Sequence, residues 1–428
     1  MFNKASDIQV LEEVDQGNAN TFVYQLLKRS IQQGASDIHI DLCLSDLNQM
    51  AFKVRYRVDG HCFDDDHYSD ITLYRGIVNK LKLDAGLKID ERRLPQDGRI
   101  SFEFEEKNYH FRLSFMPNTI RNQQEEKIVL RQMADVSRCH LSELNIVEYQ
   151  CNFLKAAVKL PHGFICVTGP TGSGKTTLLY ALLQEINRQE KNCITLEDPI
   201  EAELPMVNQS QIFHRIGYDF AQGLRVILRQ DPDVVMVGEM RDEETASKAF
   251  EAANTGHLVF STLHTNSAAS TITRLLQMKV SYYFISSSLK YIVAQRLVRR
   301  ICSSCHQPHK NSKEVHSWIE EAFQKSPQAI RELYKAHLIQ PNLVQTGDSI
   351  ACHNCQGSGY KGRLAIMEVM EVNEKIRRLI HSGQGGQQDN IQSIAEESGM
   401  LTLKQYGYLQ VLKGYTTFEE VNNVISTH

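Results

Sequence analysis

Residues 169–176 read Gly-Pro-Thr-Gly-Ser-Gly-Lys-Thr, a G-x-x-x-x-G-K-T run directly after the apolar stretch Phe164-Ile165-Cys166-Val167. This is the pattern that most limits what the chain can fold into. Glycines let backbone N–H groups close around phosphate oxygens. A helix N-terminus behind them adds the positive end of its dipole. Lys175 supplies a point charge to the β- and γ-phosphates, and Thr176 a hydroxyl for Mg²⁺. Such a loop works only between a strand and a helix. Leu178, Leu179, Leu182, Leu183 and Ile186 give the helix its apolar face. Gly169, Pro170, Thr171, Gly172, Ser173, Gly174, Lys175, Thr176 and Thr177 are therefore the expected nucleotide-binding residues.

Further apolar runs at 193–196, 234–237 and 258–261 alternate with helical stretches. They predict an α/β domain around a parallel sheet buried on both faces. Polar groups sit at the ends of these runs. Glu239 closes Asp233-Val-Val-Met-Val-Gly-Glu239 and is suited to hold the Mg²⁺ water shell, although a glutamate there also reads as a cap for the helix that follows. Glu197, Asp198 and Glu201 follow Thr195-Leu196. They read as a carboxylate set for activating water or as a solvated acidic turn. His264 ends the run from Gly256 to Thr265 and reads as a γ-phosphate sensor or a structural histidine.

The N-terminal third has a different grammar. Phe22, Val23, Leu26 and Leu27 share a helical face over residues 20–32, with Gly34 as the stop. Ile38, Ile40 and Leu42 alternate with Asp37, His39 and Asp41. Phe52, Val54, Tyr56 and Val58 alternate with Lys53, Arg55 and Arg57, and Asp59-Gly60 offers a hairpin turn. A helix at 71–83 and a second hairpin around Glu105–Asn108 complete an α+β domain. The expected organisation is a short leader at 1–18, the α+β domain at 19–120, a linker at 121–135 and the nucleotide-binding core at 136–300. A cysteine-bearing module at 301–362 and a helical region at 363–428 follow.

Cys302-Ser-Ser-Cys305 and Cys352-His-Asn-Cys355 form two C-x₂-C knuckles separated by a helical stretch near 314–339. Four thiolates suit a closed, structural Zn²⁺ site, and His306, His309 and His353 are substitute ligands. The competing reading is free or redox-active thiols. Cys43, Cys62, Cys139, Cys151, Cys166 and Cys193 read as ordinary core or surface thiols. With 428 residues and a net charge of −4, the chain can bury real cores, and its charge argues against a nucleic-acid coat. No aromatic–basic stacking strip stands out, so no stable nucleic-acid partner is expected. There is no run of ~18 apolar residues and no signal-peptide core, and cytoplasmic residence is the expectation.

Five ordered motifs carry a resemblance. They are Gly-Pro-Thr-Gly-Ser-Gly-Lys-Thr-Thr, Leu-Glu-Asp-Pro-Ile-Glu, Leu-Arg-Gln-Asp-Pro-Asp, Gly-Glu-Met-Arg-Asp and Thr-Gly-His-Leu-Val-Phe-Ser-Thr-Leu-His-Thr-Asn. With Arg93-Leu-Pro-Gln-Asp-Gly-Arg99 and Gln295-Arg-Leu-Val-Arg-Arg-Ile-Cys302, the chain resembles the type II/IV secretion ATPases over roughly residues 20–425. The resemblance implies a RecA-like P-loop domain, a PAS-like α+β N-terminal domain and a small tetracysteine subdomain. It implies a hexameric ring that hydrolyses ATP between two lobes, with Mg²⁺, and drives an inner-membrane platform protein at the cytoplasmic face.

Residue by residue, it makes Lys175 and Thr176 phosphate and Mg²⁺ ligands, Glu239 the Walker B glutamate and Glu201 the catalytic glutamate. His257 and His264 become the His-box pair. Arg99 and Arg112 become phosphate-reaching arginines, against a bland reading as a solvated strand face. The tetracysteines favour an assembly or secretion motor over a retraction motor, which generally lacks them. A retraction ATPase and a nucleic-acid translocase remain the alternatives. Two features depart from the family pattern. Only about 18 residues precede the first helix, where relatives usually carry a further domain. Arg121-Asn-Gln-Gln-Glu-Glu-Lys127 also replaces the usual Gly-Glu-Lys.

Overall fold

A computed structural model describes residues 18–44, 49–133, 140–309, 312–338, 343–346, 352–355 and 357–426. The expected leader and Cys139 fall almost wholly or wholly outside them. The chain divides after residue 134 into two units, each with its own apolar core.

In unit 1, α1 (Ala19–Gln33) precedes a six-stranded antiparallel sheet. Its strands are β1 (Ala35–Leu44), β2 (Met50–Val58), β3 (His61–Tyr68), β4 (Gln96–Phe104), β5 (Lys107–Ile120) and β6 (Gln123–Gln132), in the order β3-β2-β1-β6-β5-β4. Alternation puts Ile38, Ile40, Phe111, Leu113 and Phe115 on one face. There they pack on Val23, Leu26 and Leu27 of α1 and on Tyr74, Ile77 and Leu81 of α2 (Ile71–Asp84). Both expected hairpins form. Glu105 and Glu106 adopt φ of 51° and 61°, as a two-residue turn between twisted strands demands.

The expected linker at 121–135 is corrected by β6, which pairs with both β1 and β5. Its pattern is hidden because two carboxylates point inward. Glu126 and Lys82 are both fully buried and pair at 2.6 Å, and Lys82 also donates to the Glu91 carbonyl at 2.6 Å. Glu125 accepts from Arg75 at 2.8 Å and from Arg92 at 3.2 Å. Two adjacent buried carboxylates, paired with a lysine and two arginines, read in sequence as solvated loop.

The first α-helix of unit 2 is α3 (Glu148–Ala157), and the unit centres on a seven-stranded sheet. The parallel strands are β7 (Gly163–Thr168), β8 (Cys193–Glu197), β9 (Asn208–Gln211), β10 (Val234–Val237), β11 (Leu258–Leu263) and β12 (Leu289–Ile301). Helices α4 (Lys175–Gln184), α5 (Phe220–Ile227), α6 (Glu243–Asn254), α7 (Ala268–Gln277) and α8 (Tyr282–Ser288) connect them. Every residue of β7, β10 and β11 is buried, as expected for a sheet covered on both faces.

Beyond β12 lie the small ribbon of β13 (Gln307–Pro308) and β14 (Val344–Gln345), with α9 (Ser312–Gln324) and α10 (Gln328–Leu338) between them. The chain then returns as β15 (Tyr360–Glu371), antiparallel to β12, before α11 (Glu374–Leu379), α12 (Gln388–Glu397), α13 (Leu403–Leu412) and α14 (Phe418–Ser426). The helical region expected from 363 thus starts with a strand that completes the sheet. Among the described residues no helix is long and apolar enough to cross a membrane.

Candidate active site

Parallel register brings the carboxyl ends of four strands to one edge of the unit 2 sheet. Thr168 pairs with Leu263, Val237 with Ser261, and Val237 with Leu196. The phosphate loop leaves β7, Glu201 follows β8, Glu239 follows β10 and His264 follows β11. The chemistry collected from four separate stretches of sequence therefore stands together, where open α/β sheets bind ligands.

The loop is built on glycine where nothing else fits. Gly169 has φ 151°, and a Cβ there would meet the Gln295 carbonyl at 2.5 Å and Ser173 Oγ at 2.6 Å. Gly174 has φ 84°, with Gln295 Nε2 2.8 Å from the position of a Cβ. The Lys175 ammonium donates to the carbonyls of Gly169 at 2.8 Å and Pro170 at 3.0 Å. Burial pushes its pKa down to about 8, against the pull of Glu239. Thr176 follows in the first turn of α4.

Glu239 is half-buried. Arg241 pairs with one of its oxygens at 2.5 Å, and His264 Nε2 lies 3.6 Å from the other. Burial and the nearby Lys175 charge lower the His264 pKa, partly offset by Glu239. The strand-end loops are held by Thr262 Oγ1, which donates to the Gly238 carbonyl at 2.7 Å, and by Thr168 Oγ1, which accepts from the Thr265 N–H at 2.9 Å.

The three carboxylates after β8 separate cleanly. Glu197 is buried and accepts from Thr195 Oγ1 at 2.6 Å, from Gln209 Nε2 at 2.9 Å and from the Tyr180 hydroxyl. Asp198 pairs with His214 at 3.1 Å. Glu201 stays half-buried, its backbone N–H donating to Tyr180 Oη at 3.3 Å.

His257 is not brought to this edge. It precedes β11, where Leu258 pairs with Gly163, so it lies at the opposite end of the strand from the phosphate loop of its own chain, roughly 20 Å away at ~3.3 Å per residue. Its Nδ1 lies 2.9 Å from the Ala252 carbonyl. Arg99 and Arg112 belong to unit 1 and face each other directly across β4 and β5, with Arg131 of β6 next in the row.

Sequence reasoning missed the residues that brace the site from distant elements. Gln295 Nε2 on β12 donates to the Ser173 carbonyl at 2.7 Å. Arg296 donates to the Asn266 carbonyl at 2.9 Å, just beyond His264. Glu368 on β15 is buried and accepts the N–H of Ala268, first residue of α7, at 2.6 Å and that of Leu403, first residue of α13, at 3.4 Å. Burial raises its pKa, while the two backbone donors oppose the rise. A glutamate in the apolar run Ile366-Met-Glu-Val-Met370 was the available signal.

The sulfurs of Cys302, Cys305, Cys352 and Cys355 all lie within 4.8 Å of one another, with Cys302–Cys352 at 3.8 Å and Cys305–Cys355 at 3.6 Å. Tetrahedral Zn²⁺ with bonds of ~2.3 Å wants sulfurs about 3.8 Å apart, so the donor set fits. Hydrogen bonding from the Cys355 backbone pulls the Cys352 thiol down to about 6, favouring the thiolate that a metal needs. His309 pairs instead with Glu419 at 3.3 Å.

A profile of the family described as Type II/IV secretion system protein matches residues 12–423. The chain is 39% identical over 416 residues to the type II secretion system ATPase E of Vibrio cholerae, covering 97% of this chain and 77% of that protein. It is 39% identical over 424 residues to the type IV pilus assembly ATPase PilB of Pseudomonas aeruginosa, covering 99% and 70%. Among solved structures, the pilus retraction motor PilT with bound ADP superposes with a TM-score of 0.58 at 25% identity, covering 94% of this chain and 96% of the other. The ATPase DotB of Legionella pneumophila superposes at 0.67 and shares the fold at 20% identity, covering 95% and 96%.

Proposed function

The chain belongs to the Type II/IV secretion system protein family, and on that premise we propose that it is an ATP-hydrolysing motor that powers pilus assembly or type II secretion. The supporting observation is the convergence of Lys175, Glu201, Glu239 and His264 on one sheet edge, at the ends of β7, β8, β10 and β11. In this reading the backbone N–H groups of residues 169–177 and the Lys175 ammonium grip the triphosphate. The Thr176 hydroxyl and Glu239 carboxylate are the hard oxygen donors suited to Mg²⁺. Mg²⁺, when bound, neutralises charge that develops on the phosphates. Glu201 orients the attacking water and accepts its proton, and His264 reports on the γ-phosphate.

Arg99 and Arg112 are assigned as further phosphate cations. The four cysteines would hold one structural Zn²⁺ with no open coordination position. The finer reading has the chain acting as a homohexamer, peripheral to the inner membrane, on a platform protein. Assembly or secretion is preferred to retraction because the 39% identical relatives are a secretion and an assembly ATPase, whereas the retraction motor is at 25%. The test measures mass in solution and ATP turnover with and without the platform protein's cytoplasmic domain. A hexamer stimulated by that domain is expected. A monomer stimulated instead by single-stranded DNA overturns the reading.

A further inference from the structure

We propose that Tyr180 is a positioning residue for Glu201, tying the loop after β8 to the phosphate-loop helix through the buried Glu197 carboxylate. The inference rests on the reading of Glu201 as the water-orienting group. Tyr180 lies on α4, in the second turn after Lys175, and is fully buried. The Tyr180 phenol oxygen donates its proton to the Glu197 carboxyl group. The lone pairs of the same oxygen remain, and one accepts the Glu201 N–H at 3.3 Å. One hydroxyl thus spends its proton on β8 and its lone pair on the catalytic loop.

The far side of the loop is held by the same carboxylate. Gln209 Nε2 donates both to Glu197 at 2.9 Å and to the Ala202 carbonyl at 2.9 Å, while Gln209 Oε1 accepts from the Leu204 N–H at 2.7 Å. Backbone groups of residues 201, 202 and 204 are therefore pinned to one buried cluster. Because α4 starts at Lys175, the group that grips phosphate and the backbone that carries Glu201 share a rigid element. Tyr180→Phe keeps the ring and its packing. It leaves the Glu201 N–H without this acceptor and Glu197 without this donor. A shift of ~1 Å in a reacting group costs on the order of 10²-fold in rate.

The experiment is single-turnover hydrolysis and nucleotide affinity for Tyr180→Phe, Glu201→Gln and the double variant, with Gln209→Leu as a second probe of the same clamp. The expected result is a loss of about 10- to 100-fold in the chemical step for Tyr180→Phe and Gln209→Leu. ATP affinity should stay within about twofold, and the double variant should be no slower than Glu201→Gln alone. Losses that multiply in the double variant overturn the proposal, as does an affinity that falls in step with the rate. Full hydrolysis by Glu201→Gln removes the reading of Glu201 itself and the proposal with it. Full hydrolysis by Tyr180→Phe beside an inactive Glu201→Gln removes the proposal alone.

Discussion

His264 Nε2 lies 3.6 Å from Glu239 Oε2, while the other Glu239 oxygen is held by Arg241 at 2.5 Å. The carboxylate at the end of β10 is thus aimed by two cationic or polar neighbours from two different loops, and Lys175 lies close enough to feel its charge. Glu239→Gln keeps the shape and removes the charge. The expected outcome is nucleotide binding within a few-fold of the parent and hydrolysis lower by about 10²–10⁴. Fluorescent-nucleotide titration and phosphate release measure the two separately, and normal hydrolysis would strike Glu239 from the site.

Lys175 predicts a pH dependence with a definite sign. Burial holds its pKa near 8, helped by Arg296 and opposed by Glu239. A triphosphate prefers the ammonium form and raises that pKa on binding. Below pH 8 the lysine is already charged and affinity is flat. Above it, binding must take up a proton, and the dissociation constant rises toward about tenfold per pH unit. Titrations at pH 7, 8 and 9 should show the bend, and Lys175→Ala should bind weakly with no bend.

The tetracysteine cluster predicts about one zinc ion per chain by metal analysis. Cys302→Ser should lose most of it. A strong chelator should lower the thermal midpoint, since metal held only by the folded state contributes to folding free energy. Unchanged metal content in Cys302→Ser would count against a Cys₄ site.

The fully buried pair Lys82–Glu126 predicts an asymmetry between breaking and replacing it. Glu126→Ala leaves an uncompensated buried ammonium and should cost about 3–5 kcal/mol in denaturant unfolding of unit 1. Replacing both, with Lys82→Met and Glu126→Leu, should recover most of that loss. A double variant as unstable as the single one would mean that losing the Lys82 bond to the Glu91 carbonyl costs as much as removing the unpaired charge restores.

The parts of this molecule that were legible in its sequence are those whose physics is local. The phosphate loop declares itself in eight consecutive residues. Strands β7, β8, β10 and β11 are built on short apolar runs, and each cysteine pair sits in a knuckle of four residues. What stayed hidden depends on partners far along the chain. β6 looked like a linker because Glu125 and Glu126 point inward to Arg75, Arg92 and Lys82. β9 is a polar edge strand, Asn208–Gln211, without hydrophobic pattern. Tyr180 and Gln295 brace the site through single side-chain atoms, and no periodicity marks such an atom. His257 and His264 are alike in sequence context, yet six residues of extended chain put them at opposite ends of β11.

Glu368 meets the first N–H of α7 with one oxygen and the first N–H of α13 with the other. The far C-terminal stretch is therefore moored to the same carboxylate that seats the helix after His264. Shortening the chain before residue 403 would not yield a minimal engine. It would strip that buried carboxylate of one of its two backbone donors, and the disturbance would be felt at the start of α7 rather than only at the cut.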